Sequence, residues 1–229
     1  MWLTDTPIVR PRVASAISNG TFDTNLTGWT DADEAGGVSQ WATGGYMELL
    51  GNGTAGAIRY QMVTVAGSDL NVEHGIHIVV QRGPVTLRIG STLNGQEIIA
   101  DTKLRTGTHS LAITPTNNFY IQFTNRLDRI VYVDSCTIES AGSMSVTSPY
   151  LTADLDNIRA GEVSQSADIV YVACDGYQQR AIERHATRSW SLVLYQPNDG
   201  PFREANSGTL TITPSAILGN ITLTASSSL

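Results

Sequence analysis

A chain of 229 residues with a formal net charge of −7 and only 15 % charged residues can bury one large core or two small ones, and it lacks the Lys/Arg excess of a nucleic-acid grip. Its 21 glycines, set among many Thr and β-branched residues, point to short strands joined by tight turns rather than to helices. No apolar run nears the roughly 18–20 residues of a membrane-spanning helix, and Met1-Trp2-Leu3-Thr4-Asp5 lacks the basic and apolar regions of a signal peptide.

Ile8–Val13 is a short extended piece that Pro7 and Pro11 keep out of a central strand position. From Ser18 the chain becomes a run of strands, with Phe22 and Trp29 as core anchors. Ala57–Val65 alternates Ile58, Tyr60 and Met62 with Arg59, Gln61 and Val63, and Ile76, Ile78 and Val80 share one face. Val85, Leu87 and Ile89 continue the alternation, and Asn94-Gly95 turns the chain back into Glu97–Ala100, the clearest hairpin signal in the sequence. Leu111–Thr114, Phe119–Phe123 and Ile130–Glu139 complete a spacing that predicts a two-sheet sandwich.

After Ala141-Gly142-Ser143 the character changes. Thr152–Arg159 predicts a helical turn capped by Thr152, with Leu155 and Ile158 on one side. Ala167–Cys174 and Ser189–Tyr195 predict strands, and the alternation Trp190, Leu192, Leu194 predicts a buried Trp190 packed on the Ile169–Cys174 strand. The end, Gly219–Ser226, reads as a strand cut short, as in a fragment of a longer polypeptide. Cys136 and Cys174 sit in apolar runs as buried small side chains, with a bridge between them left open. Asn-x-Thr triplets at Asn19, Asn25, Asn52 and Asn220 are read as turn chemistry.

Two resemblances organise these pieces. Ser18-Asn19-Gly20-Thr21-Phe22-Asp23 with Gly28-Trp29, and the closing Val131-Tyr132-Val133-Asp134-Ser135, resemble the two ends of jelly-roll carbohydrate-binding modules that begin N-G-x-F-[DE]…G-W and finish on a V-x-V-D-x strand. Asp154-Leu155-x-x-Ile158-Arg159, Gln165–Val172, the Arg180–Arg184 segment, Ser189-Trp190-Ser191 and Asp199-Gly200-Pro201-Phe202, in that order, resemble a family of tail and connector proteins of tailed phages and prophages. That family's usual Pro-rich tripeptide is replaced here by Asp175-Gly176-Tyr177-Gln178-Gln179. Together they imply an all-β protein in which residues 18–140 form a jelly roll inserted into a smaller β-rich scaffold with one short helix, made of 1–17 as leading strand and 141–229.

The implied function is structural: a subunit of the tail, hub or nozzle of a virion assembled in the host bacterial cytoplasm, acting through other virion subunits in a homo-oligomeric ring. The alternatives are an adhesion module contacting cell-surface glycans, and a glycan-degrading enzyme. For a sugar, the aromatics least committed to a core are Trp41, Tyr46 and Tyr60. The jelly-roll resemblance implies a structural calcium at Asp23 and Asp134, which alone fall short of the six to eight oxygens calcium takes. No cofactor is required, and His74 and His77 would point to opposite faces of a strand and share no ion. Acids such as Asp154/Asp156 and Glu183/Asp199 fall on a helix start and on turns, so the chain is read as a non-enzyme.

Overall fold

A computed structural model describes residues 7–159, 165–196, 211–216 and 221–226. The strands in chain order are β1 (Val9–Arg10), β2 (Thr30–Asp31), β3 (Val38–Ala42), β4 (Tyr46–Leu50), β5 (Ala57–Val63), β6 (His74–Arg82), β7 (Val85–Gly90), β8 (Ile99–Leu104), β9 (Gly107–Ile113), β10 (Phe119–Asn125), β11 (Ile130–Ile138) and β12 (Gly142–Ser143). They continue as β13 (Gln165–Ser166), β14 (Ile169–Val172), β15 (Arg180–Ala186), β16 (Ser189–Leu194), β17 (Ile212–Pro214) and β18 (Leu223–Ala225). The protein is all-β, as the composition predicts. Residues up to Tyr195 form one compact unit and Gln196–Leu229 a second, whose described part is the antiparallel hairpin β17–β18.

Two sheets face each other in the first unit. One has five strands in the order β2-β5-β10-β7-β8, the other nine in the order β13-β14-β15-β16-β9-β6-β11-β4-β3. Period-2 alternation builds the space between them. Ile76, Ile78 and Val80 of β6 are fully buried there, as are Leu87 and Ile89 of β7, Phe119, Ile121 and Phe123 of β10, and Val131 and Val133 of β11. Phe22 and Trp29 anchor the first turn, with ring centroids 5.5 Å apart, and Trp29 reaches Phe123 at 5.7 Å. The β7–β8 hairpin turns at Asn94, whose φ of 65° is the left-handed value its Asn-Gly pair favours. In β5 the inward residues are Ala57, Gln61 and Val63, with Arg59 wedged between β2 and β3, so Tyr60 and Met62 face outward.

The chain enters and leaves the sandwich side by side. The Gly20 carbonyl accepts the Cys136 N–H at 2.7 Å, and β1 pairs with β12, Val9 opposite Ser143 and Arg10 opposite Gly142. The leading strand is only two residues long because prolines on either side of it remove the donors that would extend the ladder. The sequence boundary at 140 marks no break in hydrogen bonding. β16 joins β9 through Trp190–Ser110, Ser191–His109, Leu192–Thr108 and Val193–Gly107, so β13–β16 extend the sandwich's larger sheet. Gly107, at φ +145°, makes this approach possible: a Cβ there would lie 2.3 Å from the Leu192 carbonyl oxygen.

Two expectations are corrected. Trp190 is half-buried rather than core, because β15 stands between β14 and β16; it lies opposite Arg184, and its indole N–H donates to the Thr187 carbonyl. The buried residues of β16 are Ser189, Ser191, Leu192 and Val193. The turn at Thr152–Asn157 is a 3₁₀ helix, and the cap is Asp154, whose carboxylate accepts the Leu151 N–H at 2.7 Å; Leu155 is exposed. Cys136 and Cys174 are buried free thiols. Asn25 and Asn52 accept turn N–H groups through their side chains, as read; Asn220 lies outside the described residues.

Candidate functional site

Because β5, β10, β7 and β8 alternate, every second side chain leaves the core and lands on the outer face of the five-stranded sheet. The pairing register turns these into rows. Thr30, Tyr60, Gln122 and Arg88 lie side by side across β2, β5, β10 and β7. Ile58, Thr124, Thr86 and Lys103 form the next row, and Met62, Tyr120 and Gly90 the one on the other side. The Tyr60 and Tyr120 rings meet at 6.1 Å.

The polar half of this face is a cleft of about 340 Å³. Arg88 grips Asp101 with two parallel bonds of 2.6 and 2.9 Å, and across the cleft Arg126 grips Glu34 in the same way. Each pair is a bidentate fork, which fixes the side chains in place. The hydrogen bond from Arg88 holds the Asp101 carboxyl below its ordinary range, and that from Arg126 brings Glu34 down to about 2. Both acids therefore stay ionised in neutral and mildly acid solution and present acceptors rather than protons.

In the same cleft, opposite Arg88, lies Gln122, 4 % exposed, with its Nε2 on the Thr124 hydroxyl at 3.3 Å and its Oε1 without a hydrogen-bond partner among the described residues. A buried amide oxygen left unpaired is costly unless something donates to it. The arrangement suits a small polyhydroxylated ligand: donors and acceptors at fixed positions in the cleft, and two tyrosines beside it.

Of the aromatics singled out in the sequence, Tyr60 lies on this face. Trp41 is exposed at the edge of the other sheet, opposite Met47, and its indole N–H donates to the Phe22 carbonyl at 2.7 Å. Tyr46 is on the outer face of that same sheet, its ring 5.4 Å from Tyr132. The three do not form one site. Tyr120, Arg88, Asp101 and Gln122 carried a readable signal, polar or aromatic residues alternating with core residues, but which of them meet depends on strand order.

Asp23 and Asp134 are brought near each other. Burial first, and the negative charge of Asp23 in addition, raise the Asp134 carboxyl against a hydrogen bond from Ser135. No third acid, His or Cys joins them among the described residues, so a calcium there would draw its other oxygens from backbone and water. His74 is buried and pairs with Ile113, while His77 pairs with Ser110 on the opposite face. Asp154 is engaged by Tyr177 and Leu151, and Asp199 lies outside the described residues. No helix of the described residues is long and apolar enough to cross a membrane. Comparison with protein-family models, with curated proteins and with solved structures finds no match to this chain.

Proposed function

We propose that this chain is a structural subunit of a phage or prophage virion, in the tail, hub or nozzle, and that it acts by assembling with other virion subunits while displaying its β-sandwich. The ordered motifs from Asp154 to Phe202 suggest the family. The observation that carries the reading is the unbroken hydrogen bonding of β16 to β9, which makes the sandwich and β13–β16 one compact unit. A module displayed on a flexible tether would share no sheet with its carrier. Mass photometry and negative-stain images of the full chain are expected to show rings of one copy number; monomers at every concentration would overturn the assembly reading. Within the same proposal, calcium is the cation for Asp23 and Asp134.

A second reading, glycan contact by the displayed module, is favoured by the cleft and its unpaired Gln122 oxygen. Glycan-array binding should weaken at least about tenfold, roughly 1.4 kcal/mol, in Gln122→Leu and Arg88→Ala, the scale of a lost hydrogen bond to a charged or buried group. Trp41→Phe and Tyr46→Phe should bind like the parent. The reverse pattern would move the site to the other sheet.

A further inference from the structure

The sandwich core is complete without the scaffold strands. Its continuous buried cluster runs from Phe22 to Cys136, and no residue of β13–β16 belongs to it. β16 is held to the sandwich by a four-residue ladder on β9, and at the centre of that ladder is a buried polar chain. His109, fully buried, places Nε2 at 2.9 Å from the Arg105 carbonyl and Nδ1 at 2.7 Å from the Ser191 hydroxyl. The same hydroxyl lies 2.9 Å from Nε2 of His185.

The partners settle the protons. A carbonyl can only accept, so His109 Nε2 carries hydrogen and, in the neutral ring, Nδ1 accepts. Ser191 therefore donates to His109 and accepts from His185 Nε2–H. The chain runs one way, His185 to Ser191 to His109 to Arg105. A second proton on His109 would sit on Nδ1 and face the hydroxyl hydrogen, which must then turn away.

We propose that the β9–β16 junction is an acid-sensitive latch, closed while His109 is neutral and opened by its protonation, which frees β14–β16 from β9 and leaves the sandwich of residues 18–140 folded. The charged surroundings favour this order of events. From β15, Glu183 stands 3.8 Å from His185 and 3.4 Å from Arg105; burial lowers the His185 ring and Glu183 opposes that, so a charge on His185 has a counter-ion. Among the described residues His109 makes no carboxylate contact, and His185 from β15 and His77 from β6 disfavour a second proton. Burial chiefly brings the His109 ring down to about 4 from an ordinary 6.5, whereas in the opened junction it would take its ordinary value. The latch is thus at full strength above the ordinary value and weakens as pH falls from there toward the closed-state value. At the far end of the hairpin, Arg188 stays paired with Glu73, whose carboxyl is held below its ordinary range, so opening begins at His109.

Hydrogen exchange of the full chain between pH 7 and 4.5 tests this, with protection corrected for intrinsic rates. Protection of β14–β16 amides is expected to fall about tenfold per pH unit below the ordinary histidine range, the slope for one proton, while β5 and β10 stay protected. His109→Gln retains a donor and an acceptor without titrating and should abolish the slope. Should that variant fold poorly, the parent's His109 ring, followed by NMR, must titrate together with the opening of β16. Simultaneous loss of protection in β10, a slope that survives in His109→Gln, or a ring that titrates in a closed junction would overturn the latch.

Discussion

Arg10→Ala is expected to cost about 3–5 kcal/mol of unfolding free energy, the scale for removing one partner of a buried ion pair. The side chain of Arg10 is 1 % exposed, and its guanidinium meets Glu139 at 2.7 Å, Glu73 at 2.9 Å, the Ser110 hydroxyl at 2.8 Å and the Arg188 carbonyl at 3.0 Å. Gly75 leaves the room it occupies, since a Cβ there would lie 2.6 Å from Arg10 Nε. Removing the guanidinium leaves Glu73 and Glu139 facing each other with only Arg188 to answer them. Burial alone would raise the Glu73 carboxyl; hydrogen bonds from Arg188 and Arg10 outweigh it and hold it lowered. That part of the stability is therefore present above the ordinary glutamate range and is lost as pH falls through the lowered value. Urea unfolding at pH 7 checks the size of the effect, and a loss under about 1 kcal/mol would mean the arm is not held by this cluster.

Trp29→Ala should be comparably severe, about 3–5 kcal/mol, whereas Trp190→Ala should cost clearly less. Trp29 is 3 % exposed, packs between Phe22 and Phe123, and donates its indole N–H to the Asn19 carbonyl at 3.3 Å. Its loss opens a cavity where the first turn seals the sandwich. Trp190 keeps one side in solvent. Equal losses in thermal or chemical unfolding for the two variants would contradict this assignment.

The contrast between these tryptophans shows what was legible in the sequence. Gly-Trp after Asn-Gly-x-Phe sets local turn geometry, and such geometry depends on neighbours in sequence; the strands and the Asn94-Gly95 hairpin were readable for the same reason. Trp190, Leu192 and Leu194 alternate as read, but of the three only Leu192 is buried, because β9 and β15, the neighbours of β16 in the sheet, decide what is covered. In β5 the alternation holds as read, and Tyr60 lies outside the core with Met62, while Gln61 is turned in to bind Ser18 and Gly28. The cleft was invisible as a unit because Ile58, Arg88, Asp101 and Gln122 come from four strands whose order no local pattern encodes.

The hydrogen bond between Arg10 and the Arg188 carbonyl joins residues 178 positions apart. On the ribosome, the sandwich can close as soon as β11 has emerged, since its buried cluster needs nothing synthesised later. The N-terminal arm then waits, with Glu73 and Glu139 available but Arg188 still to come. Translation thus has a natural two-stage order: a finished sandwich first, then a late lock in which the β15–β16 hairpin, made after the sandwich, fixes an arginine made before it.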